Sequence, residues 1–324
     1  MTPGIAASVS QPVTPVRAVV FAYHNVGVRC LRVLRAHGAI VPLVITHVDD
    51  AAEVQWFERV ADVADELGIR WIAPGDPNDP DVVATVRALA PDFLFSFYYR
   101  RLLRQPLLEI PTRGALNMHG SLLPHYRGRA PVNWAVLNGE RHTGATLHYM
   151  DDKPDAGDIV ASQPVPILPD DTAREVFDKV TVAAEICLDA VFPALVDGTA
   201  PKWRNAIESG SYFGGRKPED GRIDWSKPAQ TIHDLVRAVA PPYPGAFTSI
   251  AGQAARVLRT RVLDPTTAPG APMLFIRADE RGESLVATCG GGGTLRIDAL
   301  EIDGERCTAA TFLARFGAAP QTPG

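Results

Sequence analysis

Five apolar runs, each separated from the next by a helix-spaced pattern, fill residues 16–118, and this alternation constrains the fold more than any other feature. Residues 16–22 (VRAVVFA) form a nearly continuous apolar stretch, as expected of a parallel strand buried on both faces. Residues 28–36 read as a helix closed by Gly38 and 40–46 as a second strand. In 51–67, Phe57, Val60, Ala64 and Leu67 keep helical spacing before the stop at Gly68. Strands at 70–73, 92–97 and 115–118, with helices at 81–89 and about 102–108, continue the series. Strands alternating with such helices imply βαβ units in an α/β fold, a doubly wound, mostly parallel sheet of Rossmann-like type. Ligands of such sheets sit beyond the carboxyl ends of the strands, so chemistry is expected just after Phe21, Thr46, Phe97 and Met118. The first strand runs into Tyr23-His24-Asn25-Val26-Gly27 rather than a Gly-x-Gly-x-x-Gly turn, which disfavours a dinucleotide.

The rhythm changes after residue 140. Strands are expected at 143–150 and 159–167 around an acidic turn, followed by a long helix over about 172–195 with Asp171 or Thr172 as its N-cap. The Gly-, Pro- and charge-rich stretch 197–227 reads as a linker, and 229–239 as a short helix. Five short strands then follow (246–250, 254–262, 273–277, 285–288 and 294–302), with Gly-rich turns that suggest a small OB-like β-barrel as C-terminal domain. The expected division is a disordered leader over 1–15, a catalytic domain over 16–206, a linker and connecting helix over 207–240, the OB-like domain over 241–316 and a tail over 317–324.

Net charge is −5, divided as −7 over residues 1–200 (17 basic, 24 acidic) and +2 over the rest (15 basic, 13 acidic). Neither part is basic enough to announce nucleic-acid binding. The leader lacks the cationic start and apolar core of a secretion signal, and no apolar run approaches the roughly 18 residues needed to cross a bilayer. Cys30, Cys187, Cys289 and Cys307 lie far apart, and no histidine pair has metal-ligand spacing. A cytoplasmic protein with no membrane partner and no metal is expected.

The densest polar cluster is Asn117-Met118-His119-Gly120-Ser121, directly after the fifth strand. Side chains at i and i+2 of an extended segment share a face, so Asn117 and His119 are expected to point together into the crevice. An amide donor beside an imidazole suits acyl transfer, the amide meeting an oxyanion and the imidazole moving a proton. A histidine that only satisfies a turn is the plainer alternative. The loop after it carries Arg127 and Arg129, which can grip an anion or simply stand in solvent. A carboxylate from the turn 151–158 could raise the His119 pKa and fix its tautomer, but four aspartates compete and spacing does not choose among them. Phe97 to Leu103 ends the fourth strand with a slot suited to a stacked heterocycle, or with ordinary core.

Asn117-x-His119-x-Ser121-Leu122-Leu123-Pro124, then Arg127-Gly128 and the distant Asp155-Ala156-Gly157, resemble the N10-formyltetrahydrofolate-dependent formyltransferases. Arg222-Ile223-Asp224-Trp225-Ser226-Lys227-Pro228 and Pro244-Gly245-Ala246-Phe247 add to a resemblance that spans about residues 16–316. Several stretches, among them Phe95-Ser96-Phe97-Tyr98-Tyr99-Arg100 and Tyr126-Arg127-Gly128-Arg129-Ala130-Pro131, are most similar to the formyltransferase domains of the ArnA type. Asn25 and His125 stand where that type is expected to carry Asp and Lys.

The resemblance implies formyl transfer from N10-formyltetrahydrofolate to the 4-amino group of UDP-4-amino-4-deoxy-L-arabinose, in lipid A modification and polymyxin resistance. It makes His119 the proton-transferring residue, Asn117 the oxyanion stabiliser and Asp155 the carboxylate that raises the His119 pKa. It lines the folate pocket with Arg101, Leu102, Leu103, Arg129 and the loop Asp151, Asp152, Lys153, Pro154 and Asp155, and places Tyr23, His24, Ser121 and Arg127 against the nucleotide-sugar. Proteins of the ArnA type continue into a dehydrogenase domain, so decarboxylation is expected of another polypeptide. The alternatives are another nucleotide-linked amino sugar or methionyl-tRNA. Against tRNA stand Arg129, where that family has a small residue, and the acidic Asp49–Glu53 stretch where it has a basic clamp. The resemblance leaves the oligomeric state open.

Overall fold

The computed structural model describes residues 15–49, 55–280 and 282–324. The leader expected over 1–15, and Asp50 to Glu53, thus lie almost wholly outside the described residues. In chain order the first half comprises β1 (Arg17–Ala22), α1 (His24–Ala36), β2 (Ile40–Ile45), α2 (Val60–Glu66), β3 (Trp71–Ile72), α3 (Pro80–Ala88), β4 (Phe93–Phe97), α4 (Gln105–Leu108) and β5 (Gly114–His119). Then come β6 (Arg127–Gly128), α5 (Pro131–Leu137), β7 (His142–Tyr149), β8 (Ile159–Pro166), α6 (Ala173–Asp197) and β9 (Tyr212–Phe213). The chain continues through α7 (Ala229–Val239), β10 (Ala246–Ile250), β11 (Gln253–Asp264), β12 (Met273–Asp279), β13 (Gly282–Thr288), β14 (Thr294–Ile302), β15 (Glu305–Cys307) and α8 (Ala309–Phe316).

Seven strands form one sheet in the order β3-β2-β1-β4-β5-β7-β8. The first five pair in parallel, and β7 and β8 join antiparallel, which makes the mostly parallel sheet of an α/β fold. Both faces are covered. Ala18, Val20 and Ala22 of β1 and Phe93, Phe95 and Phe97 of β4 pack on one side with residues of α1, α5 and α6. Val19, Phe21 and Leu94 pack on the other with Val82, Val83 and Val86 of α3 and Leu107 of α4. Period-two alternation thus serves two apolar layers at once, which is why these strands read as unbroken apolar runs. Each fully buried phenylalanine of β4 contributes about 1.5–3 kcal/mol by leaving water. The Thr172 side chain caps α6 and forms a reciprocal box with Glu175, while Gly198 ends the helix with φ of 73°. No helix among the described residues is long and apolar enough to cross a membrane.

The C-terminal unit is a β domain with antiparallel order β10-β11-β14-β13-β12 and β15 against β14. The chain adds β6, α5, β9, β15 and α8 to the expected elements, and three others differ from expectation. Helix α1 begins at His24 without an intervening turn, because His24 itself adopts φ of 65° and redirects the chain in one residue. Helix α2 begins only at Val60; Trp56 and Phe57 lie in the irregular chain before it, with their rings against His24. The stretch read as a linker is packed: Tyr212 and Phe213 pair with Arg127 and Gly128, and Ile223 and Trp225 are buried in the C-terminal core.

Candidate active site

On the α3/α4 side of β5, Ala115 is the last apolar residue, and Asn117 and His119 follow it at the carboxyl end. The neighbouring antiparallel strand β7 sets His148 opposite Asn117 and Thr146 opposite His119. Asp155 reaches the same place from the β7–β8 turn, with φ of 53°. Asparagine and aspartate tolerate the left-handed region better than most residues, so this bend suits its occupant.

His119 and His148 are buried, Asn117 and Asp155 are half-buried, and the four are closely connected. His119 Nε2–H donates to the Tyr126 carbonyl (2.8 Å), which leaves the lone pair on Nδ1, 3.5 Å from Asp155 Oδ1. His148 Nδ1–H donates to its neighbour's carbonyl at Tyr149 (2.8 Å), so its Nε2 accepts from the Asn117 amide (3.1 Å) and lies 3.6 Å from Asp155 Oδ1. Asp155 Oδ2 accepts from the Gly128 N–H (2.9 Å). A Cβ on Gly128 would stand 2.1 Å from the Phe213 carbonyl, so only glycine allows the backbone to come this close. Asn117 keeps a second amide N–H beyond the one given to His148.

At His119, burial competes with the expected upward pull of Asp155. Burial pulls the His119 pKa below its ordinary value and outweighs the upward pull of Asp155 and the Tyr126 carbonyl, so His119 rests neutral. The Tyr126 carbonyl, not Asp155, sets its tautomer. Burial would raise the pKa of Asp155, but the charge that His119 or His148 takes on when protonated, with the Gly128 N–H, draws it well below the usual carboxylate range. An ionised carboxylate thus faces two imidazole nitrogens and favours a proton arriving on one of them.

The other expected site residues fall into three groups. Arg101 and Leu102 are exposed, Leu102 at 68%, and Leu103 packs partly into the α3/α4 layer. The Gln105 side chain donates to Asp152, which joins this loop to exposed Asp151, Lys153 and Pro154. Arg129 is exposed, and its backbone N–H donates to the Phe213 carbonyl (3.0 Å). Among the residues expected to touch substrate, Ser121 is fully buried and donates its hydroxyl to the His125 carbonyl (2.6 Å). It shapes the turn instead of facing a ligand. His24 is buried among Trp56, Phe57 and Phe177, and burial drops its pKa to about 3. Tyr23 donates to Asp49 (2.9 Å), which also accepts from Arg59 (2.7 Å). That pairing offsets the charge of Asp49, one of the three acids in the stretch argued against a tRNA clamp; Asp50 and Glu53 lie outside the described residues. Arg127 is half-buried, over the Tyr212 ring, and its Nε has no partner among the described residues.

His148 and the backbone donors were not visible in the sequence. The histidine shows no catalytic spacing of its own; only the antiparallel register of β5 against β7 brings it to Asn117. Asn205, which donates to the carbonyls of Asp155 (3.0 Å) and Gly157 (3.2 Å), sits in the stretch read as a linker.

The formyl transferase family model matches residues 24–191, and the model of the formyl transferase C-terminal domain matches 216–317. Among solved structures, the chain is similar to an N-formyltransferase from Helicobacter canadensis in complex with folinic acid and dTDP-3-aminofucose. Identity is 20% over 88% of this chain and 99% of that one, with a TM-score of 0.66. It is also similar to WlaRD, a sugar 3N-formyl transferase solved with dTDP and 5-N-formyl-THF, at 17% identity over 90% of this chain and 99% of that one, TM-score 0.68. HypX from Aquifex aeolicus in complex with tetrahydrofolic acid matches 94% of this chain with 48% of its own, at 18% identity and a TM-score of 0.62. At these identities the likeness concerns the fold.

Proposed function

The chain belongs to the formyl transferase family, and from that premise we propose that it moves a formyl group from N10-formyltetrahydrofolate to the amine of a nucleotide-linked amino sugar. The observation that carries this reading is the largely buried Asn117–His148–Asp155–His119 cluster at the carboxyl end of β5. The finer reading is the 4-amino group of UDP-4-amino-4-deoxy-L-arabinose, in lipid A modification; the ArnA-like stretches support it. Structural relatives solved with dTDP-3-aminofucose or dTDP support the nucleotide-sugar class.

The neutral amine attacks the formyl carbon, and a new C–N bond forms as the carbonyl oxygen takes on charge. The free N–H of Asn117 meets that oxyanion, a contribution of roughly 10²–10³-fold in rate. His119 Nδ1 accepts the proton that the amine releases, and Asp155 stabilises the imidazolium across 3.5 Å. Collapse breaks the bond from the formyl carbon to the folate nitrogen, which takes that proton back from Nδ1. Such positioned proton transfer is worth about 10²–10⁴-fold. Arg101, Leu102, Leu103, Arg129 and the loop 151–155 are proposed to line the folate site, and Arg127 to meet the sugar-nucleotide. Tyr23, His24 and Ser121 act through the fold around them. The division of the chain at about residue 206 and a cytoplasmic location belong to the same proposal.

The test incubates the protein with formyl-folate and, separately, UDP- and dTDP-linked 3- and 4-amino sugars and aminoacylated initiator tRNA. An N-formyl sugar is the expected product. Turnover with the tRNA alone would replace the acceptor in this reading.

A further inference from the structure

The stretch from Trp203 to Phe213 carries none of the residues assigned to the reaction, yet it touches both loops that hold the catalytic pair. Trp203 exchanges two backbone hydrogen bonds with Ile159 at the start of β8 (2.8 Å each). Asn205, buried, ties down the carbonyls of Asp155 and Gly157. The Ser211 hydroxyl accepts from the Tyr126 N–H (2.8 Å), its carbonyl accepts from the Arg127 N–H (3.0 Å), and its own N–H donates to the Pro124 carbonyl (3.3 Å). The Phe213 ring stacks on Tyr126, centroids 5.1 Å apart.

One peptide group links this scaffolding to the chemistry. Its carbonyl, on Tyr126, accepts from His119 Nε2, and its N–H, on Arg127, donates to the Ser211 carbonyl, while the Ser211 hydroxyl fixes the same residue from its other side by accepting from the Tyr126 N–H. Hydrogen bonds in series polarise one another, so a firm bond at Ser211 strengthens the hold on the imidazole. The next N–H, of Gly128, holds Asp155.

We propose that residues 203–213 are a positioning element of the transfer site, in which Ser211 sets the carbonyl that holds His119 and Asn205 sets the turn that presents Asp155. This rests on the formyl-transfer reading above. The groups that face His119 electrostatically are Asp155, His148 and Arg127, together with the Tyr126 carbonyl. None belongs to 203–213, so the segment acts on the ring only through the backbone it holds.

Ser211→Ala and Asn205→Ala test this in the full chain labelled with ¹⁵N-histidine, with Ser211→Thr as the conservative control. Both alanine variants are expected to lower kcat about 5–20-fold while KM for formyl-folate moves less than about twofold. The His119 ring-nitrogen signals, identified by their loss in His119→Ala, should shift in Ser211→Ala and return in Ser211→Thr. Should Ser211→Ala fail to fold, Phe213→Leu keeps apolar volume, removes the stack on Tyr126 and is read by the same signals. Native kcat and unmoved ring signals in the folded variants overturn the proposal. Those signals are recorded without substrate, so a protein that transfers no formyl group would still report whether the brace acts on His119.

Discussion

A cavity of about 650 Å³ opens in the C-terminal unit between Leu285, Ile297, Arg277, Arg296, Arg306 and Glu283, and it contrasts with the polar carboxyl edge of β5. The cavity has room, but the charges around it are exposed, and Arg296 is paired with Asp298 at its rim. The β5 edge concentrates titratable groups that are largely buried, each held by a backbone carbonyl, a backbone N–H or a side-chain amide. Volume alone offers a ligand somewhere to rest. Chemistry needs groups whose protonation is set by burial and fixed partners, because surface charges are screened and mobile. The difference teaches that the reactive end of this molecule is recognised by desolvated polar groups rather than by space.

His119→Ala offers the sharpest way to break the comparison. It should lower formyl transfer by about 10³-fold with the melting temperature little changed, as read by single-turnover product formation. Asp155→Asn should cost about 10²–10³-fold, since the imidazolium then forms without its carboxylate. Asn117→Ala should follow with about 10²-fold, because it removes the donor to the oxyanion and leaves His148 Nε2 without its partner.

Acid sharpens the contrast through stability. Burial lowers His24 to about 3 and His47 to about 4, and the Arg100 N–H donates to His47 Nε2 (3.1 Å), which must be unprotonated to accept. Both folded-state values lie below the unfolded value of roughly 6.5, so between about pH 4 and 6.5 the unfolded chain binds more protons. Their stability is therefore present above that window and lost as pH falls through it. Asp155, held low in the fold, loses its share as pH falls through the ordinary carboxylate range and below it, at the lower end of the histidine window. The melting temperature should fall from pH 7 to pH 4.5, and His47→Phe should flatten that slope. At the small end, Arg306→Ala in the cavity should change transfer by less than about twofold; a tenfold loss would give the cavity a part in the reaction.

Much of the catalytic unit was legible in the sequence because a two-sided sheet writes its strands as apolar runs, and Phe93 to Phe97 is the plainest case. Asn117 and His119 were legible because the same strand breaks its apolar pattern at its carboxyl end. Asp155 could be chosen among four aspartates only by resemblance. The structure shows a physical distinction the spacing does not carry: a left-handed bend turned toward the Gly128 N–H. His148, Ser211 and Asn205 were not legible, since each acts through a register or a backbone group that other segments supply. The pairing of Asp49 with Arg59 and Tyr23 was not legible for the same reason.

The contrast between the two regions comes down to where the formyl donor binds. Titration of the ¹⁵N-labelled chain with 5-formyltetrahydrofolate, followed by amide shifts, measures this directly. The account predicts that the perturbed amides cluster at 101–103, 117–119 and 151–155 and leave Arg277, Leu285 and Arg296 unmoved. Shifts confined to the C-terminal cavity, with the β5 edge silent, would contradict it.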